Sequence, residues 1–113
     1  MTRPEIVLQS HSKTYVEEYS TPILGVATLK ELAVDVKVTA VSDSWTVIIE
    51  RLGADGNWYT VWQSDPIEAP SSISISIGAG LQINTCFAHN IRMRWIPSVA
   101  SSSIALSASI LGK

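Results

Sequence analysis

The stretch WTVIIERLGADGNWYTVW, residues 45–62, decides how the rest of the chain is read. Trp45, Val47 and Ile49 alternate with Thr46, Ile48 and Glu50, the period-two pattern of a β-strand. Apolar residues fall on both faces, which predicts a strand in the interior of a sheet. The run Gly53-Ala54-Asp55-Gly56-Asn57 follows, and its Asp-Gly pair supplies the positive φ that a tight hairpin demands. The chain then returns through Trp58, Tyr59, Thr60, Val61, Trp62 and Gln63. Strict alternation places Trp58 and Tyr59 on opposite sides and Trp62 on the side of Trp58.

The same periodicity recurs on both sides of this hairpin. Val34, Val36, Val38 and Ala40 point one way, and Asp35, Lys37 and Thr39 the other. After the proline punctuation of Asp65-Pro66 and Ala69-Pro70, residues 72–77 alternate as Ile73, Ile75 and Ile77 against Ser74 and Ser76. Gly78-Ala79-Gly80 ends that run. Ile91, Met93 and Trp95 alternate with Arg92 and Arg94 until Pro97, and Ile104, Leu106, Ala108 and Ile110 form a closing strand after a polar turn. Residues 5–9 and 14–19 read as short strands, Thr21-Pro22 interrupts them, and only Leu29 to Leu32 offers a short helical alternative. Brief strands at roughly ten-residue spacing, with turn chemistry between them, predict an all-β, two-sheet antiparallel β-sandwich, jelly-roll-like or immunoglobulin-like. Residues 29–113 form the sandwich and residues 1–28 a less regular N-terminal arm or edge strands, in one domain overall. Val36, Val38, Ile73, Ile75, Ile77, Ile91, Met93 and Trp95 are its expected core.

With 113 residues, the chain has the length of one domain. Its net charge of -2 gives no electrostatic footprint for nucleic acid. No run reaches the roughly 18 apolar residues of a membrane span, and Met-Thr-Arg-Pro-Glu is not the start of a signal peptide. All ten acidic residues lie at or before Glu68, whereas the residues from Ala69 onward carry only Arg92, Arg94 and Lys113. Only 16% of residues are charged and 46% are hydrophobic, against about 25% charged in an average domain. Such a surface is expected to be covered in part by other subunits, and a homo-oligomer follows, with a trimer favoured.

Little here carries chemistry. Cys86 and His89 have a spacing that fits two zinc ligands, but tetrahedral zinc needs three or four protein groups and His11 is the only other Cys or His. A Cys86–His89 nucleophile pair has no orienting third group, and Glu17 and Glu18 diverge to opposite faces if their segment is a strand. Neither catalytic residue, cofactor nor metal is expected, so an enzyme is not. Trp58, Tyr59 and Trp62 are more simply explained as hairpin packing, with a stacking platform for a glycan as the alternative.

The hairpin at residues 45–62, with its D-G-x-W turn, resembles one common in small β-sandwich structural proteins of tailed bacteriophage virions. Asn90-Ile-Arg-Met-Arg-Trp95 before an alternating Ser/Ala/Ile terminal strand is similar to the same group. The resemblance covers residues 32–112 in pattern and implies a virion structural protein: a capsid decoration (cement) subunit, or a small head or tail component. Such a subunit would sit in the virion after synthesis in the host cytoplasm, in contact with itself and with the major capsid or another virion protein. Carbohydrate-binding sandwiches use similar turns and supply the alternative function. Arg92, Arg94, Tyr15 and Tyr19 are the expected subunit contacts, because arginine suits bidentate pairing with a neighbour's carboxylates. Metal analysis of the purified protein is expected to find no stoichiometric zinc; zinc at one per chain, lost in Cys86→Ser, would contradict this.

Overall fold

The computed structural model describes residues 6–25, 31–78 and 90–112. The described residues form nine strands: β1 (Ile6–Tyr15), β2 (Tyr19–Ser20), β3 (Leu24–Gly25), β4 (Glu31–Val41), β5 (Trp45–Leu52), β6 (Trp58–Gln63), β7 (Ser71–Gly78), β8 (Asn90–Pro97) and β9 (Ile104–Gly112). Cys86 and His89 lie outside the described residues, as do residues 26–30.

The hairpin at residues 45–62 is the tip of a larger one. β5 pairs with β6, β4 with β7, β2 and β3 both with β8, and β1 with β9, all antiparallel. These pairs nest, so the chain is one long doubled ribbon folded back at Gly53–Asn57. The ribbon is then rolled, because β9 also pairs with β4 and β8 with β5. The result is a four-stranded sheet in the order β1-β9-β4-β7 facing a sheet in the order β2-β8-β5-β6, with β3 alongside β8. With β2 and β3 counted as one interrupted strand, this is the jelly-roll order of the β-sandwich. Pro22 causes the interruption, since it has no N–H for the ladder. Thr21 partly repairs it: its N–H donates to the Met93 carbonyl at 2.9 Å, and its Oγ1 accepts from the Met93 N–H at 3.0 Å.

The tip itself is a three-residue loop. Gly56 N–H donates to Gly53 O at 3.0 Å, and Gly53 N–H donates to Asn57 O at 2.7 Å. Within this loop Gly56 alone has positive φ, at 86°, which fits a type I turn closed by one left-handed residue. A side chain at Gly53 would collide with the Tyr59 ring, so both glycines are required.

The core lies between the sheets. Trp45, Val47 and Ile49 of β5 and Ile91, Met93 and Trp95 of β8 face Leu32, Val34, Val36 and Val38 of β4 and Ile104, Leu106, Ala108 and Ile110 of β9, all buried. Two of the expected core residues differ. Ile73 and Ile75 are only half-buried, because β7 is the border strand of its sheet and has one flank open; the side chain of Ile77 is outside the description. Ile6–Tyr15 is a continuous edge strand on β9, not a pair of short segments or a loose arm. Leu32 belongs to β4 and not to a helix. Among the described residues no helix is long and apolar enough to cross a membrane.

Met93→Ala, at the fully buried centre of β8, is expected to cost about 2–5 kcal/mol. Ile73→Ala, at the half-open border, should cost clearly less. Urea unfolding of both variants checks the ranking, and equal losses would contradict the assignment of β7 to the edge.

Candidate functional site

The outward face of the five-stranded sheet carries the densest polar arrangement among the described residues. Alternation turns Arg92 and Arg94 outward from β8, and Glu50 is the direct partner of Arg92 in the β5–β8 register. Arg92 Nε donates to Glu50 Oε1 at 2.8 Å, and Arg94 Nη1 donates to Glu50 Oε2 at 3.3 Å. Arg94 Nη2 reaches Glu18 Oε2 at 2.9 Å. The Glu50 side chain is 9% exposed, against 23% and 22% for the two arginines and 52% for Glu18. The network therefore runs from a covered carboxylate outward to solvent. Burial disfavours the charge on Arg94, but the hydrogen bond it donates to Glu18 and the nearby carboxylates outweigh it and raise its pKa. The Arg92 guanidinium also lies over the Trp58 ring, 4.1 Å from its centre, a cation–π contact.

Of the residues expected as subunit contacts, Arg92 and Arg94 thus already have acidic partners within their own chain. Tyr15 and Tyr19 lie elsewhere. Tyr15 is 6% exposed and belongs to the core. Tyr19 stacks on Trp95 with ring centres 5.0 Å apart, and Tyr15 meets Trp95 edge-on at 4.9 Å. His11 approaches both Tyr19 and Trp95 edge-on, at 5.8 Å and 6.0 Å. Lys13 Nζ caps the cluster 5.0 Å from the Tyr15 ring. These side chains join β1 to β2 and close one open side of the sandwich. Burial first, and then the Lys13 charge, lower the His11 pKa below its ordinary value.

Trp58, Tyr59 and Trp62 do not form a shared platform. Ile49 pairs with Trp62, but Glu50 pairs with Thr60, so Val61 is an extra residue in a β-bulge. Beyond a bulge the alternation reverses. Trp58 consequently stands on the outer face beside Arg92, whereas Trp62 shares the side of Ile49 and packs against the core. The expectation that Trp58 and Trp62 share a side fails for that reason. Tyr59 is turned to the hairpin tip, its ring 5.0 Å from the Arg51 guanidinium and its hydroxyl bonded to the Asp55 carboxylate. That hydroxyl, then the Asn57 groups, lower the Asp55 pKa. Trp62 and Ile73 wall an open cleft of about 430 Å³ between β6 and β7, with Asp65 and Glu68 at its rim. Among the described residues no group of three His, Cys, Asp or Glu side chains is placed to hold a metal ion.

No protein-family model matches the sequence, and no curated protein matches it. Among solved structures, the crystal structure of PBSX exported protein XepA is similar over 95% of this chain, with a TM-score of 0.59 and 13% identity. This chain spans 36% of the length of that one. At that identity the likeness is one of fold.

The His11 environment has a consequence for stability against pH. A histidine whose folded-state pKa lies below its unfolded value favours folding in the neutral form. Its contribution is complete above about pH 6.5 and is lost as pH falls through the lower folded value. The melting temperature of the wild type is expected to drop between about pH 7.5 and about pH 5.5 by more than that of His11→Gln. Equal drops in thermal melts at the two pH values would contradict the burial of the imidazole.

Proposed function

We propose that this chain is a phage-related structural protein and, more finely, a capsid decoration (cement) subunit that stabilises a particle by protein–protein contact. The observation that carries the proposal is the likeness of the whole sandwich to a phage protein, PBSX exported protein XepA, over 95% of the chain. Jelly-roll sandwiches are a common architecture of viral capsid domains, although a fold alone does not fix a function.

The side chains support the same reading. The charged groups with the best geometry, Glu50, Arg92 and Arg94, satisfy one another and shape a sheet face; in this reading they do no chemistry on a substrate. The polar face of the other sheet sets small hydroxyl groups around Asp35 and Lys37, with Ser74 Oγ donating to Asp35 at 2.6 Å and Ser12 and Ser107 hydroxyls 3.0 Å apart. The small hydroxyl groups of such a face let another protein surface approach closely and hydrogen-bond to it. The protein is then non-enzymatic, resides on the virion, and has the major capsid protein or another virion protein as its partner. A glycan platform on Trp58, Tyr59 and Trp62 gains nothing from their placement, since the bulge at Val61 separates the two indoles.

Density-gradient purification of particles from a producing culture tests the proposal. The chain is expected to band with intact particles at a fixed ratio to the major capsid protein and to be released by conditions that strip surface proteins. A protein found only in the particle-free fractions would overturn it.

A further inference from the structure

The two sheets have four borders among the described residues: β1 and β7 on one, and β2 with β3, and β6, on the other. A border strand presents unpaired N–H and C=O groups, and proteins that stay monomeric guard such edges with charges, prolines, bulges or extreme shortness. Three of the four are guarded. β1 has a bulge between Val7 and Gln9 and carries Lys13, and its Gln9 side chain is tied to the Pro22 carbonyl at 2.9 Å. β2 and β3 have two residues each. β6 has the bulge at Val61.

β7 has none of these devices. Its eight residues, SSISISIG, include no charge and no proline. It pairs with β4 in unbroken register from Val38↔Ser71 to Glu31↔Gly78. Its inward side chains Ile73 and Ile75 are left half-buried at the open flank, next to the cleft walled by Trp62.

We propose that β7 is a self-association edge, and that β7 of a second copy of this chain adds to it antiparallel across a two-fold axis. The two four-stranded sheets then become one continuous sheet. The strict Ser/Ile alternation makes the strand self-complementary. In the register centred on Ser74, Ile73 meets Ile75 of the copy on the core side, and on the outer side Ser74 meets Ser74 and Ser72 falls opposite Ser76. No like charges face each other, and the exposed flanks of the isoleucines are covered. A strand that pairs with its own copy forms an isologous, closed contact and does not propagate. The product is a dimer, in place of the trimer favoured from composition, because a closed ring of three would need β7 to meet a different, guarded border. The inference concerns the purified chain alone and does not depend on its attachment to a particle.

Light scattering coupled to size-exclusion chromatography, at high micromolar concentration, tests it with two kinds of variant. The wild type should be a dimer. Ser74→Lys should be a monomer with an unchanged far-UV circular dichroism spectrum, since the new ammonium faces Asp35 across the β4–β7 pair but meets like charge in the copy. In a Cys86→Ser background, Ser74→Cys should give a disulfide-linked dimer under mild oxidation. Ser107→Cys, on the interior strand β9 of the same sheet, should not. If Ser74→Lys loses its fold, the cross-linking pattern decides. A monomeric or trimeric wild type, a dimer that survives Ser74→Lys intact, or cross-linking no better from β7 than from Ser107 would each overturn the proposal.

Discussion

The carboxylate of Glu50, held between Arg92 and Arg94 across the β5–β8 pair, fixes the register on which the sandwich depends. β8 alternates strictly: Ile91, Met93 and Trp95 are fully buried on one side, and the two arginines stand on the other. A slip of one residue would drive both guanidinium groups into the gap between the sheets and expel the three largest apolar residues of the strand. An ion pair with partial exposure contributes modest net stability. Its value here lies in specificity, because one acidic partner reads two cationic positions two residues apart. β8 also carries β2 and β3, so the same register places Tyr19 on Trp95 and Leu24 opposite Ile91.

Rolling the doubled ribbon leaves the sandwich with two unlike flanks. On one, β1 and β2 approach each other and His11, Tyr15, Tyr19 and Trp95 fill the gap, with Lys13 over the rings. On the other, β6 and β7 are separated by the cleft beside Trp62, and the isoleucines of β7 are only half covered. The aromatic flank is finished within one chain. The Ser/Ile flank is the one at which a second surface removes further apolar area from water. Assembly through edges and faces is thus compatible with a chain in which Arg92, Arg94, Tyr15 and Tyr19 are committed internally.

Much of this was legible in residues 34–40, 45–63, 90–96 and 104–110, where apolar residues recur at every second position and Asp55-Gly56 marks the reversal. Three features were not. β1 was legible only as short strands at residues 5–9 and 14–19, and its continuity was not, because its core-side positions from Gln9 onward are Gln9, His11, Lys13 and Tyr15, long polar or amphipathic side chains that cover a rim and give no apolar alternation. The bulge at Val61 leaves no mark in WYTVW, where two-residue counting assigns Trp62 to the wrong side. The partnership of Glu50 with Arg92 and Arg94 spans more than forty residues, and only the β5–β8 register brings the groups together. The arginines were visible as an outward pair on one strand, but not their acidic partner.

A double-mutant cycle on Glu50 and Arg92, with Glu50→Gln, Arg92→Gln and the combined variant followed by equilibrium unfolding, tests the register claim most directly. The account expects each single change to destabilise the fold and the pair to be coupled by about 1–3 kcal/mol. Coupling indistinguishable from zero, with single losses that simply add, would contradict it.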